Sequence, residues 1–375
     1  MCNIRGVRRL ATTSLGWTPP HCPNPNCHFH NPLSQGWAFK RAGFFTRDHA
    51  PHRVQRYQCK CCGRNFSSQT FSVTYWQKLP GLDLRIFMKT VGGMANRQIA
   101  RDLGVSPKTV DDRLSRLGRH CMLFHWRHMQ AAAPPRSLVV DGFESFELSQ
   151  YYPLHHHVAV EKDTDFFVYF TESELRRKGR MTEKQKHRRC QLERQFGRPD
   201  PQAVRKDMTE LLSVSLSRQT QATVFSDDHR SYPPALRAIN SEITHHVTSS
   251  RAYRDRSNKL WEVNLLDLLI RHSGANHRRE TIAWSKRRVA SAERLSIFLV
   301  WRNYIKKRRE KIRGCPTPAM ARGMTDRVYD VDDVLGGRIF EGHVTLPPRW
   351  ARYYRRSIVT RALGPQRTHN LKYAF

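Results

Sequence analysis

Apolar positions change their period along the chain, and each change marks an element. From Met94 to Leu117 they recur three or four residues apart: Ile99, Ala100 and Leu103, then Val110, Leu114 and Leu117. That spacing predicts two short helix faces in succession. Gly104 between them allows a turn, Ser106 can cap the second helix, and Pro107 fits its first position. The pair reads as a helix-turn-helix inside a helical stretch, 80–130. Ala131–Arg136 carries two prolines and reads as a linker, because the pair cannot continue a helix. The β-branched and aromatic runs of 137–170 then predict strands. Further on, the pattern predicts a helix near 202–216, a strand at 222–226, a short helix at 232–239, a strand at 243–248 and long helices through 258–313. Residues 171–200 hold 10 Lys/Arg and 5 acids and read as a helical or flexible insertion. Residues 1–75 have little helical period; WAFKRAGFF and HRVQRYQC read as strands.

Cysteine spacing changes the picture of that first segment. Cys22, Cys27, Cys59, Cys61 and Cys62 crowd together, while Cys2, Cys121, Cys190 and Cys315 are scattered. Close pairs are a metal pattern rather than a disulfide framework. Cys22/Cys27 and Cys59/Cys62 are the expected ligands of a tetrahedral zinc ion, held on two turn-based knuckles. Gly63 suits the tight backbone after the second. So small a unit buries little apolar surface, so the metal would contribute to folding. Cys61 is expected to point away, though it is the natural substitute; His21, His28 and His30 are nearby alternatives.

Charge narrows the partner. The 375 residues carry 65 Lys+Arg against 32 Asp+Glu, a formal net charge of +33, which favours a polyanion. No apolar run approaches the ~20 residues that span a bilayer, and Met1–Leu10 lacks the apolar stretch of a secretory leader. The expected setting is a prokaryotic cytoplasm, beside the nucleoid, without membrane association. Residues 1–130 contain 20 Lys/Arg and only 5 Asp/Glu, so the second helix of the helix-turn-helix is expected to face the major groove of double-stranded DNA. Arg97, Ser106, Lys108, Thr109 and Arg113 are its candidate contacts. Lys286–Arg313, with 11 Lys/Arg and 2 Glu, reads as a basic amphipathic helix region. Its Lys286, Arg287 and Arg288 are candidate backbone contacts. Trp350, Tyr353 and Tyr354, set among arginines, suit either base stacking or core packing.

Three acids stand in telling places. Asp141 ends the apolar run Ser137–Val140, Asp227 ends Ala222–Ser226, and Asp267 lies in the helical LWEVNLLDLLIRH. Carboxylates at strand ends project from a sheet rim, where hard oxygens can hold magnesium. Two such ions, ~4 Å apart, clamp the attacking and leaving oxygens of phosphoryl transfer. Each acid also has a plainer reading: a turn cap for Asp141, a helix cap for Asp227 or Asp228, an ion pair with Arg271 for Asp267. His155–His157, His245 and His246 read as packing or phosphate contacts.

With these residues together, the stretch from about Cys22 to Tyr304 resembles insertion-sequence transposases of the DDE type that carry an N-terminal zinc ribbon. The resemblance lies in YQCKCCGRNFS, MANRQIARDLGVSPKTV, LVVDGFESF, SDDHRSY and VNLLDLLIRHSGANHRRETIAWSK. It implies a multi-domain α+β chain: a zinc ribbon (1–78), a helix-turn-helix (79–130), an RNase-H-like α/β catalytic domain (131–313) and a basic, aromatic extension (314–375). The catalytic domain would have a mixed sheet with flanking helices and the insertion 171–200. The resemblance further implies binding to element ends, then magnesium-dependent cleavage and strand transfer into target DNA by a homo-oligomer, at least a dimer. Its acids fall on Asp141, Asp227 and Asp267. The third is Asp where many relatives have Glu, which leaves Glu262 and Glu280 as rivals, as Asp228 is to Asp227. A DNA-binding regulator without catalysis and a nuclease without joining are the other functional readings.

Overall fold

The computed structural model describes residues 17–364. The expectations for Met1–Leu10 and for 365–375 of the extension lie outside the described residues. Two compact units divide the chain. Among the described residues, one comprises 17–82 and Leu335–Thr345; the other comprises Asp83–Val334 and 346–364.

In the first unit β1 (Phe39–Thr46), β2 (Arg53–Cys59) and β3 (Asn65–Ser67) form an antiparallel sheet in that order. These are the two predicted strands and a short third. The buried side chains of Cys22, Cys27, Tyr57, Cys59 and Phe66 form its core, with Trp17, Phe29, Trp37, Phe39 and Phe71 packed around them. A late segment belongs to the same unit: Arg338 donates its backbone N–H to the Phe71 carbonyl (2.8 Å) and a guanidinium N–H to that of Thr70 (3.2 Å).

The second unit begins with three helices, α1 (Leu82–Val91, which starts on the boundary), α2 (Asn96–Leu103) and α3 (Pro107–Ala131). The predicted signals act as expected. Gly104 closes α2 in the left-handed region at φ +64°, and the Ser106 hydroxyl caps α3 by accepting the Thr109 N–H at 3.1 Å. Unlike a free-standing recognition helix, α3 runs on for 25 residues and is almost wholly buried from Leu117 to His125. Gly118 lets it approach α8 (Arg288–Val300) closely: a Cβ there would sit 2.6 Å from the Glu293 backbone.

Beyond the linker lies a five-stranded sheet of β4 (Ser137–Phe146), β5 (Pro153–Glu161), β6 (Phe166–Glu174), β7 (Gln221–Asp227) and β8 (Glu242–Thr248). Its order is β6-β5-β4-β7-β8. The first three strands are an antiparallel meander, and β7 and β8 run parallel to β4. Val-, Phe- and Tyr-rich β6 is buried at every position but its last, as expected of a strand covered on both faces. Helix α4 (Glu183–Phe196) occupies the 171–200 insertion, opened by a capping box between Thr182 and Gln185. After it come α5 (Ala203–Ser215), which packs on β5 and β6, and the short α6 (Tyr232–Leu236). Next is α7 (Trp261–Ser273), which packs on β4 and β5. The last helices are α9 (Pro318–Ala321), α10 (Val331–Leu335) and α11 (Pro348–Tyr354).

The expectation of long helices through 258–313 needs correction. Residues 274–287 separate α7 from α8, and after a π turn at Trp301–Ile305 the helix stops. Five like charges among residues 306–311 oppose its continuation. Nor is α8 a basic surface helix, for all of it but Ala290 is buried. Trp350, Tyr353 and Tyr354 of α11 are buried too and pack the core. Among the described residues no helix is long and apolar enough to cross a membrane.

Candidate metal centre and acidic site

In the first unit the two cysteine pairs meet. Around the second knuckle Cys59 donates its N–H to the Arg64 carbonyl and accepts that of Gly63, both at 3.0 Å. Gly63 takes φ +69°, a left-handed value that favours glycine. Cys22 Sγ lies 3.6 Å from Cys62 Sγ, and Cys27 Sγ lies 4.0 Å from Cys59 Sγ; all four sulfurs fall within 4.8 Å of one another. A tetrahedral ion with Zn–S near 2.3 Å needs sulfurs about 3.8 Å apart, so the donor set fits zinc. The Trp37 indole N–H points at Cys59 Sγ (3.3 Å), a donor suited to a thiolate. Cys61 is exposed and outside the group, as expected. Cys59→Ser is expected to lower bound zinc by one ion per chain and to lower the unfolding temperature, read by elemental analysis and calorimetry.

In the second unit β4 and β7 pair in parallel through Ser137/Thr223, Leu138/Val224 and Val139/Phe225. Continuing that register by two residues sets Asp141 beside Asp227, the last residue of β7. Contrary to the strand-end expectation, Asp141 lies in the middle of β4, which runs on to Phe146 paired with β5. Asp267 comes from α7, the helix that packs on β4 and β5. Asp141 feels the other two carboxylates. Burial pushes the Asp141 carboxyl up to about 7, the negative charges of Asp227 and Asp267 push it the same way, and the Gly142 N–H and Arg254 oppose them. That N–H donates to Asp141 Oδ1 at 2.7 Å, and Asp227 Oδ1 accepts the His229 N–H at 3.0 Å. Burial also raises Asp267, against the pull of Arg271, Arg279 and Arg254. The expected Asp267–Arg271 pair is present, with Arg271 Nε 3.2 and 3.1 Å from the two carboxylate oxygens. Hard carboxylate oxygens suit magnesium, although the three acids are not among the described groups whose ligand atoms lie within 4.8 Å of one another.

The rivals have surroundings of their own. Glu262 is held by Lys162 at 2.8 and 2.9 Å, Glu280 is exposed, and Asp228 is exposed and bonded to Ser250. The histidines pack as expected: His156 stacks on Phe143, His246 on Phe225, and His157 hydrogen-bonds Ser173 (2.7 Å). Sequence reasoning missed three features of this site. Arg254 and Arg279 bear charge toward it from loops that have no pattern to read. Gly142 has no side chain because a Cβ there would overlap the His155 ring; the Asp-Gly step was its only signal.

The candidate DNA contacts divide. Arg97 and Lys108 are exposed, Lys108 in an ion pair with Asp112. Ser106 is spent as the α3 cap, and the half-buried Thr109 hydroxyl bonds it at 2.9 Å. Lys286 is exposed over the Trp284 ring, at 4.0 Å from its centre, and Arg287 donates to the Gly364 carbonyl at 3.0 Å. Two expectations are corrected. Arg113 is buried on α3 and pairs with Asp83 at 3.2 Å, because its position faces α1 rather than solvent. Arg288 is buried among Glu147, Glu172 and Glu174. Arg113→Met is therefore expected to cost about 3–5 kcal/mol of stability by stranding Asp83. Its effect on sequence-selective binding should be small, as measured by denaturation and by DNA titration side by side.

The fold and site define a mixed α/β unit with acids on two inner strands, in a chain that also carries a four-cysteine metal centre. No protein-family model matches the chain, and no curated protein matches it. Among solved structures, the chain is similar to one in the simian T-cell lymphotropic virus intasome in complex with PP2A regulatory subunit B56 gamma (11% identity, 53% of this chain and 59% of that one, TM-score 0.23). It is also similar to the Mos1 transposase catalytic domain with Raltegravir and Mn (13% identity, 49% and 87%, TM-score 0.19) and to the Mos1 mariner paired end complex with Mn (12% identity, 50% and 64%, TM-score 0.18). The chain spans about three fifths of the intasome chain it matches. Likenesses this distant carry no functional weight.

Proposed function

We propose that this protein is an insertion-sequence transposase of the DDE type, binding double-stranded DNA at element ends and cutting and joining it. The observation that carries the reading is that the β4–β7 register sets Asp141 beside Asp227 on two inner strands, where Asp141 feels the charges of both Asp227 and Asp267. The sheet order supports it: an antiparallel meander whose first strand, β4, is followed on its other side by two parallel strands is the RNase-H-like layout, with one acid within β4 and another at the end of β7. Magnesium bound there would supply Lewis-acid stabilisation of the attacking and leaving oxygens. Asp141 and Asp227 would hold the ions, Asp267 would complete the set, and Arg254 and Arg279 would meet the phosphodiester at the rim. The ribbon, and Arg97 and Lys108 of the helix-turn-helix, would engage the element ends, in a complex of at least two copies.

The grip of Arg271 on Asp267 favours a second reading, a DNA-binding regulator whose site no longer binds metal. One experiment separates the two. The full chain is incubated with the DNA flanking its coding sequence, a target plasmid and magnesium, with a chelator control. Metal-dependent joined products support the transposase. Cleavage without joining reduces the function to that of a nuclease, and binding without cleavage favours the regulator.

A further inference from the structure

We infer that the first unit holds a second transition-metal site, made by His21, His30 and His343 and taking zinc or a similar divalent ion. One ring nitrogen of each lies within 4.8 Å of the others, although His343 is remote in sequence. The backbone fixes which nitrogen each ring offers. His21 Nδ1 and His30 Nδ1 both meet the Cys22 carbonyl, at 3.1 and 2.9 Å, and His343 Nε2 meets the His30 carbonyl at 2.7 Å. A carbonyl only accepts, so each of these nitrogens carries the proton. The lone pair of each neutral ring is then on the opposite nitrogen: Nε2 of His21, Nε2 of His30 and Nδ1 of His343. Ring N–H groups pinned by carbonyls, with the other nitrogen left bare, are how metal-ligating histidines are oriented.

Two further observations point the same way. His30 is buried, and its Nε2 has no hydrogen-bond partner among the described residues. A buried bare nitrogen of this kind is costly unless something binds it. Gly342 stands over that atom without a side chain: a Cβ there would come within 2.7 Å of it. Phe71 and Phe340 set their rings edge-on to His21, giving the cluster an apolar wall. A tetrahedral ion with Zn–N about 2.0–2.1 Å needs nitrogens about 3.4 Å apart, so the rings close inward on binding and leave a fourth place for solvent. Cys22 would join the two centres, its sulfur in the four-cysteine group and its carbonyl orienting two of the imidazoles. The ion would tie the 338–343 segment to the ribbon.

Cobalt(II) separates the two centres, since thiolate ligation gives intense near-ultraviolet charge-transfer absorption and imidazole ligation only weak visible bands. The full chain carries Asp141→Asn and Asp227→Asn in every sample, so that the carboxylates proposed above to hold divalent ions do not contribute. Stripped of metal, it is titrated with cobalt(II), and zinc content is measured on the protein as purified. Two equivalents are expected with the first unit wild type, only one of them accompanied by the charge-transfer band. His343→Gln and Gly342→Ala should each keep that band and bind one equivalent; the second substitution blocks His30 Nε2 while leaving all three histidines in place. A wild-type first unit that binds one equivalent overturns the inference, and so does a Gly342→Ala protein that still binds two.

Discussion

Asp141→Asn or Asp227→Asn is expected to lower strand cleavage and joining by at least about a thousandfold, while DNA affinity stays within about twofold. Either change replaces a carboxylate proposed to hold an ion with a neutral amide. Asp141→Asn should also stabilise the metal-free protein. The Asp141 carboxyl is raised in the folded chain from 3.8 to about 7, so its ionised form is disfavoured there. The resulting loss of stability is absent below the unfolded value, grows as pH rises from 3.8 toward 7, and is complete above it. Near neutral pH and above, Asp141→Asn should therefore gain on the order of 2 kcal/mol, and the gain should vanish toward about pH 4. Magnesium should raise the unfolding temperature of the wild type and leave the variant unchanged. Retained joining activity in either variant would place the reaction elsewhere.

The second large effect concerns folding. Arg288 lies at the start of α8, 3.0 Å from Glu147 and 2.5 Å from Glu174, with Glu172 at 4.0 Å. Glu147 also accepts the Arg288 backbone N–H at 2.9 Å, which caps α8 with a carboxylate. Burial weakens any charge here, but Glu147, Glu172 and Glu174 together hold the guanidinium charged well above its ordinary range. Arg288→Ala would leave acids stranded in the interior, at a cost of about 3–5 kcal/mol. That corresponds to a fall of roughly 10 °C or more in unfolding temperature for a unit this size. The deficit should shrink as pH falls, because the stranded acids would have raised values and neutralise first. A variant that folds normally but loses DNA affinity would restore Arg288 to the surface role that its sequence neighbourhood suggests.

Local signals were legible and distant partners were not. Gly104, Ser106 and Pro107 specify the turn between α2 and α3 through backbone preference and capping, which act within a few residues. The runs before Asp141 and Asp227 identify their strands, and the strand order then follows from pairing that no single stretch encodes. Arg113 and Arg288 look like surface cations because their carboxylates lie far away, Asp83 thirty residues back and Glu147 across 141 residues. The amphipathic reading of Lys286–Arg313 failed for the same reason: buried Arg288, Arg294 and Arg302 count as surface charge until their surroundings are known. His21 and His30 stood out as spare ligands near the cysteines, but His343, across 313 residues from His30, gave no local sign of joining them.

Helix α3 has a consequence for how the second unit measures distance. Its 25 residues make a rod about 37 Å long, whose first turns carry Lys108 and whose later turns are clamped against α8 at Gly118. No joint interrupts it. Whatever the exposed end grips is thus held at a fixed azimuth and offset from the strands bearing Asp141 and Asp227, as a gauge block fixes a spacing. One residue added in the middle would rotate the leading end by about 100° and advance it by about 1.5 Å, so the spacing between Lys108 and the acid-bearing strands is written into the pitch of a single helix.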